Sequence, residues 1–457
     1  MLSKVDRIYF LGIGGIGMSS LARYFKMNAY EVTGYDKTPS PLTDTMSQHE
    51  DIEINFVDEI SSIPSFYTDV EKTLIVYTPA IPSDNKQLNY FKDRGFTIYK
   101  RAEVLGFISQ RSKAICIAGT HGKTSISTQV AYLLHNSKIG CSAFLGGISM
   151  NFNTNVLLNK KSPYVVIEAD EFDRSFLHLN PQMALITSMD ADHLDIYGTE
   201  ENIKQAFNEF ASKVKAKNDD EEAKIFIKNG LTLSSKRPNI TYGLDNNSDC
   251  FSYNIRVEDG FYVFDYKGKF TNIVGLKASV PGILNIENLT AAISIALEVG
   301  VGEDEIRTSL PNFKGVLRRF NIHVNTQDCV YIDDYAHHPR EIEASLLAIK
   351  DMWPNNKIKV VFQPHLFSRT NDFYEGFAKS LSIADEVLLL DIYPAREKPM
   401  EGVSSKLICD LLTVPGQIIA KDELLDKIKT KENNVVLVTM GAGDIDRFVN
   451  KIVEVLI

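Results

Sequence analysis

A glycine-rich turn, Gly119-Thr120-His121-Gly122-Lys123-Thr124, followed by Ser125, joins an apolar run to a helical pattern that begins at Lys123. These residue types suit a nucleoside triphosphate. Glycines let the backbone curl so that N–H groups face phosphate oxygens, and a lysine answers the β/γ charge. A threonine hydroxyl suits Mg²⁺, and a helix N-terminus lies behind the turn. Ile117 occupies the place of the first glycine of the usual GxxxxGK[ST] pattern, so the turn is a short variant. Two more strand ends in the same segment carry metal-compatible groups. Glu168 closes one and suits Mg²⁺, held directly or through water. His193 closes another, and its neutral imidazole suits a second metal.

A second glycine turn, Gly12-Ile13-Gly14-Gly15-Ile16-Gly17, follows the first apolar run, with Asp36 at the end of the next one. The pattern is a loose GxGxxG. A dinucleotide is one occupant, with Asp36 on a ribose, but the same backbone physics cradles any diphosphate. Further along, Asp333-Asp334-Tyr335-Ala336-His337-His338-Pro339 and Gln363-Pro364-His365-Leu366-Phe367-Ser368-Arg369 each follow an apolar run. Tandem histidines on an extended chain point different ways, so nucleotide and substrate contacts fit the first better than a shared metal. Arg369 suits a carboxylate or phosphate. Gly441-Ala442-Gly443-Asp444 is read as an anion-facing turn or a helix cap.

The elements that hold these groups read as alternating strands and helices. Strands are expected at 7–11, 31–35 and 73–77, with a helix over 18–27; Pro79 and Pro82 make 78–82 a loop. A second series has strands at 114–118, 164–167 and 184–187 and a helix over 123–134. Residues 213–224 read as a solvated surface, 241–277 as antiparallel strands, and a helix starts near Asn285. A third series has strands at 330–332, 358–362, 386–390 and 435–439, with helices at 340–352, 372–382 and up to 455. The expected fold is α/β in three domains: a Rossmann-like 1–106, a central phosphate-loop ATPase-type 107–317, and a Rossmann-like 318–457.

The 457 residues carry 49 basic and 59 acidic side chains, a net charge of −10, which argues against a general nucleic-acid binder. Five scattered cysteines without CxxC spacing fit reduced thiols rather than disulfides or zinc. No apolar stretch approaches the roughly 20 residues of a membrane span. With no leader pattern at the start, a cytoplasmic enzyme is expected, as monomer or homodimer.

In this order, the motifs resemble the Mur ligase family across essentially the whole chain. They are GIGGIGMS at 12–19, TPAIP at 78–82, AGTHGKTS at 118–125, EADEFDRSFLHL at 168–179, DADHLDIY at 190–197, GVLRRF at 315–320, DDYAHHP at 333–339 and QPHLFSRT at 363–370. The resemblance implies an ATP- and Mg²⁺-dependent ligase of peptidoglycan precursor synthesis. It points to the branch that joins L-alanine to UDP-N-acetylmuramate; a sister ligase, such as the one recycling murein tripeptide, is the alternative. It implies that Gly119, Thr120, His121, Gly122, Lys123, Thr124 and Ser125 hold ATP, and that Thr124, Glu168 and His193 hold metal. Asn285, Asn288, Arg319 and Asp334 would contact the nucleotide. His338, His365 and Arg369 would line the alanine and lactyl end, with Lys123 and His193 completing the catalytic set. Gly14, Gly15, Ile16, Gly17, Met18, Ser19, Asp36, Thr78, Pro79 and Ala80 would take the UDP substrate, which replaces the dinucleotide reading. Three positions stand out against the family's pattern. Leu284 stands where the family usually has His, and Leu366 where many alanine-adding members have Arg. Asn208 stands where some sister ligases carry a modified lysine, as fits the alanine-adding branch.

Overall fold

The structure, a computed structural model, describes residues 5–190, 194–216, 222–235, 237–395, 397–429 and 434–457. The chain forms two compact units. One contains Met1–Phe251, Gly268–Thr271 and Thr290–Ser309; the other contains Ser252–Lys267, Asn272–Leu289 and Leu310–Ile457.

The first unit begins with a five-stranded parallel sheet, in the order β3-β2-β1-β4-β5. Its strands are β1 Arg7–Leu11, β2 Glu31–Tyr35, β3 Glu53–Asn55, β4 Thr73–Tyr77 and β5 Thr97–Lys100. Ile8, Phe10, Leu74 and Val76 face one core and Tyr9, Leu11 and Ile75 another. This is why β1 and β4 read as unbroken apolar runs: both faces are covered. The strand order reverses between β1 and β4, so the turns leaving their carboxyl ends open a crevice there.

The same unit holds the sheet of the phosphate loop. Its strands are β6 Lys113–Ala118, β7 Ser142–Ser149, β8 Thr154–Leu157, β9 Tyr164–Glu168, β10 Met183–Ile186, β11 Lys224–Lys228 and β12 Asn239–Gly243. They lie in the order β8-β7-β9-β6-β10-β11-β12. All pair in parallel except β7 with β8. β6 therefore sits between β9 and β10, and the groups at all three carboxyl ends meet at one edge.

In the second unit, β14 Phe261–Lys267 and β15 Asn272–Ala278 are antiparallel, as expected. The antiparallel expectation fails earlier in that stretch. β12 pairs in parallel with the start of β13 Cys250–Glu258, through Tyr242 with Cys250 and Gly243 with Phe251. A six-stranded sheet follows, in the order β16-β17-β21-β18-β19-β20. Its strands are β16 Asn321–Asn325, β17 Cys329–Asp334, β18 Lys357–Phe362, β19 Glu386–Leu389, β20 Gly416–Ile418 and β21 Val435–Met440. β16 is antiparallel to β17 and the others are parallel. Cores on both faces, around Phe362, Phe377 and Val438 on one and Tyr331, Val361 and Leu437 on the other, explain the apolar runs. The helix expected at 372–382 is Phe367–Leu381, so Ser368 and Arg369 lie in its first turn.

Candidate active site

The turn after β6 folds as a phosphate loop. Gly119 has φ +131°, and a Cβ there would strike Thr187 and Ser188, so only glycine fits. Gly122, at φ +81°, is the N-cap of the helix Lys123–His135. The turn is bolted to the end of β10. Ser188 Oγ lies 2.7 Å from Thr120 Oγ1 and accepts the His121 N–H at 2.9 Å, while Thr187 Oγ1 donates to the His121 carbonyl. Asp190 N–H donates to Thr120 Oγ1 at 3.2 Å, and His121 Nε2 lies 3.7 Å from the Asp190 carboxylate.

Lys123 turns back into this loop. Its Nζ donates to the Gly119 carbonyl at 2.6 Å and stands 2.7 Å from Glu171 Oε2. The Glu171 side chain is 3% exposed, so the pair is cut off from water. Burial works against the lysine's charge, but Glu171, backed by Glu168 and Asp170, holds its pKa above the usual lysine value. Burial raises the Glu171 carboxyl, with Lys123 opposing. Glu171 was not among the expected site residues. Its signal was its place three residues after Glu168, on the loop leaving the same strand.

Thr124 and Glu168 meet as expected. Thr124 Oγ1 donates to Glu168 Oε1 at 2.9 Å, and Glu168 Oε2 accepts the Gly146 N–H at 2.8 Å. Both offer hard oxygen donors, which suit Mg²⁺. Among the described residues no group of three or more His, Cys, Asp and Glu is placed to hold an ion. Mg²⁺ usually takes one or two carboxylates and fills the rest of its shell with phosphate oxygens and water, so this pair fits it in kind. His193 lies outside the described residues.

The first glycine turn sits at the reversal of the five-stranded sheet. Gly12, at φ +87°, abuts Thr78, and Thr78-Pro79-Ala80 form a turn closed by the Ile81 N–H on the Thr78 carbonyl at 3.0 Å. Gly15 and Ile16 are exposed, and Ile16 and Gly17 open the helix Ile16–Met27, where their N–H groups have no acceptor within the helix. Asp36 Oδ2 accepts the Gly14 N–H at 2.7 Å, so this carboxylate shapes the turn itself. Met18 and Ser19 are buried, and the Ser19 hydroxyl donates to the Ile16 carbonyl at 3.0 Å. Their side chains pack the helix; with the Gly14 N–H on Asp36 and the Gly15 N–H on the Gly12 carbonyl, what remains for a ligand is the N–H groups of Ile16 and Gly17.

In the second unit the loops after β17, β18 and β21 gather. Asp333 accepts from Arg318 Nε at 3.1 Å and from Thr439 Oγ1 at 2.8 Å, and Arg318 Nη2 donates to the Gly441 carbonyl at 2.7 Å. Asp334 Oδ2 accepts from Ser345 Oγ at 2.7 Å, and burial pushes its carboxyl up to about 6. Arg319 lies over the Tyr335 ring, 5.0 Å from its centroid, and tempers the Asp334 shift. Arg319 and Asp334 therefore do share one neighbourhood.

The histidines divide. His338 Nδ1 accepts the Arg340 N–H at 3.3 Å and caps the helix Pro339–Met352, its ring edge-on to Phe373. His337, not among the expected residues, turns toward His365, with ring centroids 6.4 Å apart. The His365 ring stacks on Tyr393, and its Nδ1 is buried without a hydrogen-bond partner. Burial lowers both histidines, His365 to about 4, with neighbouring His337 and Arg369 adding to the effect. Both are neutral at pH 7, so they offer lone pairs rather than charge. Glu397 accepts the Ser368 N–H at 3.0 Å and the Ser368 hydroxyl, fixing the helix turn that carries Arg369. Asn285 Nδ2 donates to the Pro281 carbonyl at 2.6 Å at the start of the helix Ile283–Glu298, one turn before the half-buried Asn288. The Gly441–Asp444 turn is explained by packing. A Cβ at Gly441 or Gly443 would strike Gln363, whose side chain donates to Asp444 and accepts the Ile445 N–H.

The chain matches the Mur ligase family, catalytic domain over residues 7–113, the Mur ligase middle domain over 117–296, and the Mur ligase, glutamate ligase domain over 318–443. It is 47% identical to the UDP-N-acetylmuramate–L-alanine ligase of Porphyromonas gingivalis, covering 97% of this chain and 98% of that protein. It is 48% identical to the enzyme of the same name from Flavobacterium psychrophilum, covering 98% and 97%. Among solved structures it is similar to the UDP-N-acetylmuramate–alanine ligase of Thermotoga maritima, with TM-score 0.82, 27% identity and 98% of each chain covered. A murein peptide ligase of Psychrobacter arcticus shares the fold at TM-score 0.68 and 22% identity, over 99% and 98%. The phosphate loop, the paired glycine turn and this full-length likeness agree, and the chain belongs to the Mur ligase family.

Proposed function

We propose that the chain joins the amine of L-alanine to the lactyl carboxylate of UDP-N-acetylmuramate, using ATP, in the synthesis of peptidoglycan precursors. The observation that carries this reading is the likeness at 47–48% identity, over nearly the whole chain, to ligases of that name. A lactyl carboxylate oxygen attacks the γ-phosphorus, ADP leaves, and an acyl phosphate forms. The alanine amine then attacks the acyl carbon; a proton is lost, and inorganic phosphate departs as the amide forms. Carboxylate and γ-phosphate are both anionic, and their repulsion at about 4 Å amounts to several kcal/mol at an effective dielectric near 20. Lys123 answers that charge, since phosphoryl transfer depends mainly on positioning and charge stabilisation.

In this reading residues 1–106 bind the UDP substrate, 107–317 bind ATP, and 318–457 bind the amino acid and complete the nucleotide site. Thr124, Glu168 and His193 hold Mg²⁺, which shields the phosphate charge when bound. Asn285, Asn288, Arg319 and Asp334 face the nucleotide. Arg369 takes a carboxylate, and the neutral His365 receives an N–H of the incoming amine. The protein works in the cytoplasm, where the nucleotide substrates are. Phosphate release tests this choice against the sister ligases. With UDP-N-acetylmuramate and ATP present, L-alanine will stimulate release at least about tenfold over D-glutamate or murein tripeptide, the discrimination that about 1.4 kcal/mol provides. Stimulation by the tripeptide instead would assign the chain to the recycling branch.

A further inference from the structure

Arg101 opens the helix Arg101–Gln110 directly after β5. The Lys100 N–H donates to Glu103 Oε2 at 2.7 Å, and Ala102, Val104 and Leu105 are buried, so the start of this helix is firmly placed. From there the arginine side chain reaches the glycine turn. A Cβ on Gly17 would collide with the Arg101 guanidinium. Gly17 is one of the two residues whose N–H groups open the helix Ile16–Met27. On its other side the guanidinium stands 3.4 Å from Asp170 Oδ2. There it lines a small recess with Ala102, Leu105, Glu168, Asp170 and Phe176. Glu168 is the carboxylate to which Thr124 of the phosphate loop donates. One side chain thus spans from the glycine turn to the carboxylate edge of the phosphate loop.

The charge balance at the turn gives this placement its meaning. Gly14, Gly15, Ile16, Gly17, Met18 and Ser19 bring no basic group, and Asp36 adds a carboxylate on the Gly14 N–H. Backbone N–H groups alone can hold a diphosphate there, but they leave its charge unneutralised, and a cation from elsewhere in the chain would answer it. We propose that Arg101 is that cation, leaving Asp170 for the diphosphate oxygens of the UDP substrate when it binds. This rests on the reading given under Proposed function. The planar guanidinium presents several N–H donors in a fork that matches phosphate oxygens. The existing pair is easily exchanged, being a single long contact between side chains 24% and 41% exposed.

Calorimetric binding of UDP and of uridine to the full-length chain tests the assignment. Arg101→Ala will weaken UDP by about 10- to 100-fold, as expected for lost hydrogen bonds to a charged group, and leave uridine within about twofold. Arg101→Lys will fall between the two. Asp170→Asn, which removes the competing carboxylate, will tighten UDP, a gain that a merely structural arginine would not give. Equal loss of UDP and uridine in Arg101→Ala, or UDP binding within about twofold of the wild type, overturns the proposal and leaves the wider reading standing. A wild-type chain that fails to bind UDP overturns both.

Discussion

Lys123→Ala will lower kcat/KM for ligation by about a thousandfold, the scale on which losing one fixed charge-stabilising group acts. It will also destabilise the fold, because Glu171 is 2% exposed and loses the ammonium 2.7 Å away. Removing one partner of a buried ion pair costs about 3–5 kcal/mol, the penalty of leaving the other charge uncompensated. The two effects are separable. Lys123→Met with Glu171→Gln removes both charges at similar volume, so thermal stability will return close to the wild type while ligation stays lost. Melting curves and phosphate release on the same samples check both halves. Recovery of activity in the double variant would show that Lys123 serves only to neutralise Glu171.

Glu168→Gln will have the next largest effect. This carboxylate accepts from Thr124 and Ser127 at 2.9 and 3.4 Å and from the Gly146 N–H at 2.8 Å, tying the end of β9 to the phosphate-loop helix and to β7. Glutamine keeps the size but replaces one acceptor with a donor, so it faces one of these groups wrongly and costs about 1–3 kcal/mol. If Glu168 also holds Mg²⁺, turnover will fall about 100-fold at low magnesium and recover in part as magnesium is raised, because the affinity of the site, rather than its shape, is the main loss. A magnesium titration of kcat reads this directly. An unchanged half-saturating concentration would confine Glu168 to holding the loop together.

What the sequence makes legible here is local. Strands β1, β2 and β4 fall at their expected bounds, and the phosphate loop at its expected turn, because unbroken apolar runs and glycine punctuation are short-range signals. What it hides depends on distant packing. The helix Phe367–Leu381 begins five residues before the expected 372, and that start leaves no local mark because its N-cap, Leu366 at φ +70°, has no capping side chain. Glu397, 29 residues beyond Ser368, takes over that role. Alternation in 241–277 suggests antiparallel strands throughout, yet β12 and β13 pair in parallel. Pairing direction follows the course of the chain rather than the alternation of side chains. Arg101 and His337 carry no spacing signal either, and Glu171 is marked only by its place three residues after Glu168. Each becomes a candidate only when folding puts it beside Lys123, Gly17 or His365. The glycines at 441 and 443 look suited to an anion, but they are required by the close approach of Gln363. His338, expected at the alanine and lactyl end, also caps a helix through its Nδ1, a role that only the fold reveals.

In the proposed reaction this chain makes an amide bond between one particular acid and one particular amine. Mass spectrometry of the products from UDP-N-acetylmuramate, ATP, Mg²⁺ and a mixture of amino acids tests it most directly. The expected product is UDP-N-acetylmuramate enlarged by a single alanine residue, formed in step with ADP and phosphate and absent with Lys123→Ala. ADP and phosphate without an amide, or an adduct carrying a different amino acid or peptide, would contradict it.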